Sequence, residues 1–295
     1  MTRFAARSLL SPRVFTALAC AFVSIACGSR DVASPAVSDV RIVVAGSSTV
    51  QPVMEVIAER FEAKHPSIKV DIQGGGSSVG ISAPRSGLAQ VGMVSRALKD
   101  EEKVDLVATT IAHDGIALVV HATNPLAAMT RDDVIRVFSG AVSNWKELGG
   151  RDAPITVINK EEGRSTLELF EQHFGLKGKF VKNAIIIGPN GQALATVAGN
   201  PDAVAYVSIG SAETAAKEGA PVRLLSLDGV TATVDNVKNG SYPLRRELTL
   251  TTRGAATGAV KQLLAFVVGP EGQRVVEEQS FVPGIATVPV PAIAR

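Results

Sequence analysis

Three short segments of the chain combine glycine with serine or threonine at the point where an apolar, β-branched run ends. They are Gly46-Ser47-Ser48-Thr49, Gly74-Gly75-Gly76-Ser77-Ser78 and Gly163-Arg164-Ser165-Thr166. Each segment opens a stretch with helical character, so it offers the unpaired N–H groups of a first helical turn, the positive end of a helix dipole and small hydroxyl donors. Such groups bind small oxyanions. One turn of this kind is an ordinary connection, but three in one chain predict that the turns converge on a single anion site.

Strands and helices alternate along the rest of the chain. After the first turn, apolar residues recur at helical spacing, at Val50, Val53, Met54, Ile57, Ala58 and Phe61. We predict strands at Ile42–Val44, Ile68–Gln73, Gln90–Val94, Val107–Ile111, Ile116–His121, Ile155–Asn159, Ala184–Ile187, Ala203–Ser208 and Glu247–Thr252. We predict further helices before Pro84, from Thr130 to Phe138, from Thr166 to Phe174, after Gly191, at Thr257–Val268 and at Pro270–Gln279. This alternation predicts an α/β protein with largely parallel sheets and flanking helices.

The N-terminus has the features of an export signal. Three arginines precede an apolar stretch, Val14–Ala26, that is shorter than the roughly twenty residues a membrane-spanning helix needs. The stretch ends at Ser24-Ile25-Ala26-Cys27, which resembles a bacterial lipobox, where the cysteine is acylated and becomes the new N-terminus. We therefore predict a lipoprotein signal peptide at 1–26, lipidation of Cys27 and a tether at 27–38. A plain secretory signal cut near Ala26 is the alternative; both place the protein outside the cytoplasm.

Composition excludes several classes of function. Both cysteines lie in the first 27 residues, so the exported domain has no internal disulfide. The formal net charge is only +2, and the sequence has no basic tract that would bind nucleic acid. The four histidines lack metal-ligand spacing, and no nucleophile-elbow signature is present. We expect no metal, no cofactor and no catalytic activity. An enzyme acting on a phosphate ester stays open as an alternative, and a chromogenic ester would test it.

A set of motifs resembles the phosphate-binding lipoproteins of Pst-type ABC transporters, which have the type II periplasmic-binding-protein fold. The resemblance runs from about Val43 to Pro283. Its landmarks are Gly46-Ser47-Ser48-Thr49-Val50-Gln51-Pro52, Gln73-Gly74-Gly75-Gly76-Ser77-Ser78, Ser95-Arg96-Ala97-Leu98-Lys99, Asp114-Gly115-Ile116-Ala117, Phe138-Ser139-Gly140, Asn144-Trp145-Lys146-Glu147, Gly269-Pro270-Glu271-Gly272-Gln273 and Phe281-Val282-Pro283. The order and spacing of these motifs make the resemblance specific.

The resemblance implies two lobes that close over an inorganic phosphate ion and deliver it to the permease of an ABC importer. Lobe I would comprise residues 39–122 and 246–291, and lobe II residues 123–245. Two strands would cross between the lobes near Val119–Thr123 and Glu247–Thr252. The protein would be a monomer, anchored to the bacterial membrane by lipid and facing the periplasm or the cell exterior. Another tetrahedral oxyanion (sulfate, molybdate or tungstate) or a phosphate-sensing or adhesive surface role are the alternatives.

The resemblance also assigns ligand-binding residues, position by position. The first loop maps to Ser48 and Thr49, and the second to Ser77. The third loop departs from the usual pattern: Lys160 stands where arginine is usual, Arg164 where serine is common and Ser165 where glycine is usual, before Thr166. A lysine cannot form the bidentate fork of a guanidinium, so we expect Arg164 to take over that role.

A second departure concerns the residues after the third strand. Many members of the family carry an aspartate that accepts the proton of phosphate and thereby rejects sulfate, whereas this chain has Ser95 followed by Arg96. The resemblance implies that Ser95 and Arg96, like Lys160 in the third loop, contact the ligand. Ser95 accepts a hydrogen bond without the repelling charge. We therefore expect weaker rejection of sulfate, unless Asp114 supplies the carboxylate.

Overall fold

The computed structural model describes residues 40–284. The predicted signal peptide, the tether and the lipidation site Cys27 lie outside the described residues. Within 40–284, no helix is both long enough and apolar enough to cross a membrane.

Twelve strands and nine α-helices make up the described part of the chain, together with a 3₁₀ turn at Trp145–Leu148. The strands are β1 (Val40–Gly46), β2 (Ile68–Gln73), β3 (Val91–Val94), β4 (Leu106–His121), β5 (Ala128–Met129), β6 (Thr156–Lys160), β7 (Ile185–Ile187), β8 (Ala203–Ser208), β9 (Val222–Leu224), β10 (Ser226–Leu227), β11 (Arg245–Arg253) and β12 (Val282–Pro283). The helices are α1 (Gln51–Lys64), α2 (Ser77–Ser86), α3 (Arg131–Phe138), α4 (Ser165–Phe174), α5 (Asn190–Gly199), α6 (Ile209–Lys217), α7 (Val234–Lys238), α8 (Gly258–Val268) and α9 (Pro270–Glu278). The predicted α/β class is confirmed.

The first hydrophobic core lies around the parallel strands β1, β2 and β3. Helix α1 buries one apolar stripe against them, as its helical spacing predicts. Helices α8 and α9 come from the C-terminal end of the chain and contribute Leu263, Val267, Val275 and Val276 to the same core. We call this part of the molecule lobe I.

The second core lies around the second half of β4 with β6 and β8, and we call this part lobe II. Aromatic rings fill it: the rings of Phe170 and Tyr206 stack with centroids 3.8 Å apart, and Phe138 meets both rings edge-on. Trp145 is fully buried here, and its indole N–H donates to the Asp202 carbonyl. Trp145 thus packs in the core of lobe II.

Strands β4 and β11 join the two lobes. On β4, Ala112 belongs to the core of lobe I and Ile116 to that of lobe II; along the other connection, Leu244 packs in lobe II and Leu248 in lobe I. The segment predicted as two strands, with a break at residues 112–115, is the single continuous strand β4. It crosses between the lobes at these residues, which is earlier in the chain than the predicted crossing near Val119–Thr123. The reason is pairing: the polar residues His113 and Asp114 lie opposite β11, which runs antiparallel to β4, and β12 pairs with β4 on its other side at His113, so the strand continues through them.

Candidate anion-binding site

The three glycine-hydroxyl turns surround one small cavity between the lobes. Its lining residues are Ser47, Ser48, Thr49, Gly76, Ser77, Ser95, Arg164, Ser165 and Thr166. The turns before α1 and α2 come from lobe I, and the turn before α4 comes from lobe II. The structure thus brings together seven of the ten residues predicted to contact the ligand: Ser48, Thr49, Ser77, Ser95, Arg164, Ser165 and Thr166.

Two helices point their N-termini at this cavity. Helix α2 begins at Ser77 and α4 begins at Ser165, and neither preceding residue makes a side-chain capping hydrogen bond. Gly76 has a φ of 90°, and a Cβ there would lie 2.9 Å from the Gly163 carbonyl oxygen, so only glycine allows this approach between the lobes. In α2 the Ser78 and Val79 N–H groups donate to the Gly163 and Gly76 carbonyls, so the first turn of α4 offers an anion more N–H groups, together with the positive end of its dipole.

Two buried polar atoms in the cavity lack hydrogen-bond partners within residues 40–284. They are Nη1 of Arg164 and Oγ of Ser165. The other terminal nitrogen of Arg164, Nη2, donates to Glu161 at 2.9 Å, and the arginine side chain is only 12% exposed. Buried polar groups are almost always paired in native proteins, so an unpaired guanidinium nitrogen and an unpaired hydroxyl on two residues that line the same cavity indicate a site for an anion.

Arg246 lies beneath the cavity and is the main functional residue that the sequence did not reveal. Its Nη1 donates to Thr166 Oγ1 at 2.9 Å and to Ser95 Oγ at 3.4 Å, and its Nη2 donates to Thr49 Oγ1 at 3.1 Å. One guanidinium thus holds hydroxyl groups from both lobes. It adds a buried positive charge near the cavity although it does not line it.

The carboxylate of Asp114 balances the buried positive charge of Arg246. Its Oδ2 accepts hydrogen bonds from Arg246 Nε at 3.0 Å and Nη2 at 2.8 Å, and its Oδ1 accepts from the Gly210 N–H at 3.3 Å. Asp114 and Arg246 are directly opposite each other in the pairing of β4 with β11. Had the pairing register of these two strands been known from the sequence, it would have indicated that Arg246 lies next to Asp114. Asp114 does not line the cavity, contrary to our expectation that it could face the ligand.

Lys160 also lies outside the lining. It is buried, and its Nζ donates to the carbonyl oxygens of Gly188 at 3.5 Å and Pro189 at 3.3 Å. Burial, followed by the positive charges of Arg164 and Arg246, lowers the pKa of Lys160 to about 7. Near neutral pH Lys160 is therefore only partly protonated, so it adds a fraction of a positive charge near the cavity and makes no direct contact with a ligand there.

Arg96 is held away from the cavity by two carboxylates. Its Nη1 and Nη2 donate to Glu102 at 2.7 and 2.8 Å, and its Nε donates to Glu168 of α4 at 2.8 Å. Lys99 pairs with the same Glu168 at 2.7 Å. The structure therefore differs from the prediction that Arg96 contacts the ligand, because these acidic groups occupy its donors.

Further hydrogen bonds join the two lobes around the cavity. The Ser78 N–H donates to the Gly163 carbonyl at 3.1 Å, and Asn190 Nδ2 donates to Thr49 Oγ1 at 3.0 Å. Asn190 is the first residue of α5. The lobes therefore meet directly over the cavity in this conformation.

The described residues, 40–284, contain no group of three or more histidine, cysteine, aspartate or glutamate side chains that could hold a metal ion. The donors at the cavity are hydroxyls, helix N-termini and a guanidinium. Such donors suit a small, multiply charged oxyanion.

The chain is similar in sequence to known phosphate-binding proteins. Residues 33–271 match the PBP superfamily domain. The chain is 30% identical over 246 residues to the phosphate-binding protein PstS of Bacillus subtilis (strain 168), covering 82% of this chain and 80% of that relative.

Solved structures extend the similarity to the fold. A candidate phosphate ABC transporter substrate-binding protein with bound phosphate from Clostridium perfringens has a TM-score of 0.77 and 35% identity, covering 82% of this chain and 99% of that chain. An ABC-type phosphate transport receptor from Vibrio cholerae has a TM-score of 0.66 and 29% identity, with coverage of 82% and 99%. The chain belongs to the PBP superfamily and, within it, to the family of Pst-type phosphate-binding proteins.

Proposed function

We propose that the protein captures inorganic phosphate in the cavity between its lobes and delivers it to an ABC importer. The observation that carries the proposal is the pair of buried, unpartnered atoms, Arg164 Nη1 and Ser165 Oγ, in a cavity lined by hydroxyls and two uncapped helix N-termini. The ligand-binding roles of Ser48, Thr49, Ser77, Ser95, Arg164, Ser165 and Thr166 are part of this proposal. The names of the related proteins support phosphate as the ligand.

Calorimetry of the purified protein in phosphate-free buffer tests the proposal. Phosphate, arsenate, sulfate, molybdate and tungstate are titrated separately. We expect one phosphate ion to bind per chain and to raise the melting temperature, because a ligand that binds only the folded state stabilises it. Absence of phosphate binding, together with binding of another anion in the series, would replace phosphate by that anion as the ligand.

The proposal includes export and a lipid anchor at Cys27, and a monomeric protein that docks on permease subunits. The lipobox-like segment ending at Cys27 supports the anchor. Replacement Cys27→Ser should move the protein from the membrane fraction into the soluble exported fraction. Retention in the membrane would reject Cys27 as the attachment site.

We propose a binding role rather than an enzymatic one. The cavity offers donors for an anion, and its lining residues include no carboxylate or histidine that would serve as a general base. Incubation with a chromogenic phosphate ester should release no product above background. Turnover that disappears in Ser165→Ala would instead assign catalysis to this cavity.

A second tetrahedral oxyanion stays a candidate ligand because of Ser95. The residue is buried and carries no charge, and Asp114 is engaged with Arg246. No carboxylate of the lining therefore repels sulfate, and the sulfate titration in the same series decides this question.

A further inference from the structure

The hydroxyl groups around the cavity differ in how many of their lone pairs are still free to accept a hydrogen bond. A serine or threonine hydroxyl has one hydrogen to donate and two lone pairs to accept with. Thr49 Oγ1 accepts from both Arg246 Nη2 at 3.1 Å and Asn190 Nδ2 at 3.0 Å. Both lone pairs of Thr49 are occupied, so toward a ligand this hydroxyl is only a donor.

Other hydroxyls of the lining are also engaged as acceptors. Thr166 Oγ1 accepts from Arg246 at 2.9 Å, and Ser77 Oγ accepts from the Ser95 N–H at 3.1 Å. Ser95 Oγ lies 3.4 Å from both Arg246 Nη1 and Ser77 Oγ. Ser47 Oγ accepts from the Thr49 N–H at 3.2 Å, so each of these hydroxyls already accepts at least one hydrogen bond.

Ser165 is the exception. The residue is 2% exposed, and in the described part of the chain its Oγ has no hydrogen-bond partner, so both lone pairs are available. The Ser48 hydroxyl likewise makes no hydrogen bond within residues 40–284, but Ser48 is half-buried and also borders a second, larger cavity where water can reach it. Ser165 is therefore the buried hydroxyl of the lining whose two lone pairs are both free to accept.

Inorganic phosphate needs such an acceptor. Near neutral pH its dianion keeps a proton on one oxygen, whereas sulfate has none. The nearby carboxylates are engaged: Asp114 accepts from Arg246 and Gly210, and Glu161 accepts from Arg164 while facing solvent. A buried P–OH group without an acceptor would lose the hydrogen bond that it makes to water.

We propose that Ser165 is a specificity-determining residue that accepts the hydrogen bond from the protonated oxygen of phosphate. The inference rests on the proposed function of phosphate capture. Toward sulfate the same hydroxyl rotates and donates, so it contributes to both complexes but is indispensable only for the protonated ligand. Ser165 thereby takes the part that a charged acceptor would otherwise play at Ser95.

The test compares dissociation constants for phosphate and sulfate in wild type, Ser165→Ala and Ser165→Thr at slightly alkaline pH. In Ser165→Ala we expect the phosphate affinity to fall roughly ten- to a hundredfold, and the sulfate affinity by a smaller factor, because only phosphate is left with an unsatisfied buried donor. Ser165→Thr keeps the hydroxyl, so the ratio of the two affinities should stay close to the wild-type ratio even if the added methyl group weakens both.

Ser48→Ala is the matched control, because it removes a hydroxyl of the same cavity that water can replace. It should weaken phosphate and sulfate by similar factors. Equal losses for both anions in Ser165→Ala, or a selective loss of phosphate in Ser48→Ala, would overturn the assignment while leaving phosphate capture intact. Wild-type protein that binds no phosphate would instead remove the proposed function, and this inference with it.

Discussion

The carboxylate of Asp114 lies behind the guanidinium of Arg246, and a single oxygen, Oδ2, accepts hydrogen bonds from Nε at 3.0 Å and from Nη2 at 2.8 Å. Both side chains are 1% exposed. The remaining donors of Arg246 reach Thr49 in lobe I and Thr166 in lobe II. One buried ion pair on the strands between the lobes therefore positions hydroxyl groups on both sides of the cavity.

Removing the carboxylate of this pair should destabilise the fold. Asp114→Ala leaves the Arg246 charge buried without its partner, and such changes typically cost about 3–5 kcal/mol. Urea denaturation of the ligand-free protein measures the difference. Asp100→Ala is the control, because Asp100 pairs with Lys103 at the surface and its removal should leave the free energy of unfolding nearly unchanged. Equal stability of Asp114→Ala and wild type would show that the buried pair contributes little.

Arg164 should matter more to phosphate binding than Lys160. Arg164 lines the cavity with a nitrogen that is unpartnered within residues 40–284, whereas Lys160 Nζ donates to two carbonyl oxygens. A charge-assisted hydrogen bond is worth about 1.5–3 kcal/mol, so Arg164→Ala should weaken phosphate binding roughly ten- to a hundredfold and Lys160→Ala considerably less. Calorimetry of both variants compares them. Similar losses would reject the transfer of the guanidinium role from position 160 to position 164.

The turns of the site could be predicted because their information is local. Glycine, hydroxyl residues and the start of a helix stand next to each other in the sequence, so Ser48, Thr49, Ser77, Ser165 and Thr166 were found from short segments. The fold class followed from the same kind of local pattern. Hydrogen bonds within a turn and apolar periodicity depend on neighbours a few residues away, which a single sequence displays.

The contacts of Arg246 and Arg96 depend on partners that are distant in the sequence. Arg246 and Asp114 are separated by 132 residues and meet only because β4 and β11 pair in one register. Arg96 is likewise engaged by Glu168, 72 residues away, and by Glu102. The resemblance of the Ser95-Arg96 segment to the family suggested that Arg96 contacts the ligand. Which acidic group neutralises an arginine is decided by tertiary packing, so the sequence pattern could not separate a ligand-binding arginine from a structural one.

The depressed pKa of Lys160 should make stability rise with pH. Burial, then the charges of Arg164 and Arg246, lowers this pKa from 10.5 to about 7 in the folded protein. Between these values the unfolded chain binds more protons than the folded one, so the free energy of unfolding increases with pH, by about 1.4 kcal/mol per pH unit at most. Below pH about 7 the penalty for burying the charged lysine is fully present.

Lys160→Met isolates this contribution, since methionine fills similar space without a charge. The free energy of unfolding of wild type minus that of Lys160→Met should increase between about pH 7 and about pH 9 and level off below that range. Urea denaturation over this pH range measures the difference. A constant difference would mean that the lysine titrates alike in the folded and unfolded states.

Glu168 should stabilise the closed arrangement of the lobes. It lies on α4 in lobe II and accepts from Arg96 Nε at 2.8 Å and from Lys99 Nζ at 2.7 Å, both of which follow β3 in lobe I. Glu168→Gln keeps the shape of the side chain and removes the charge, so the closed state loses two ion pairs that the open state does not have. Because the carboxylate is 39% exposed, we expect a modest fall in phosphate affinity, roughly two- to tenfold, mainly through faster dissociation. Stopped-flow kinetics at low and high salt measures the rate of phosphate dissociation, and the difference from wild type should shrink at high salt.

Glu162→Gln is the control for this prediction. It makes the same chemical change at an exposed position in the turn before α4 that has no ion pair within residues 40–284, and it should behave as wild type. Equal dissociation rates for Glu168→Gln and Glu162→Gln would show that these ion pairs do not hold the lobes closed.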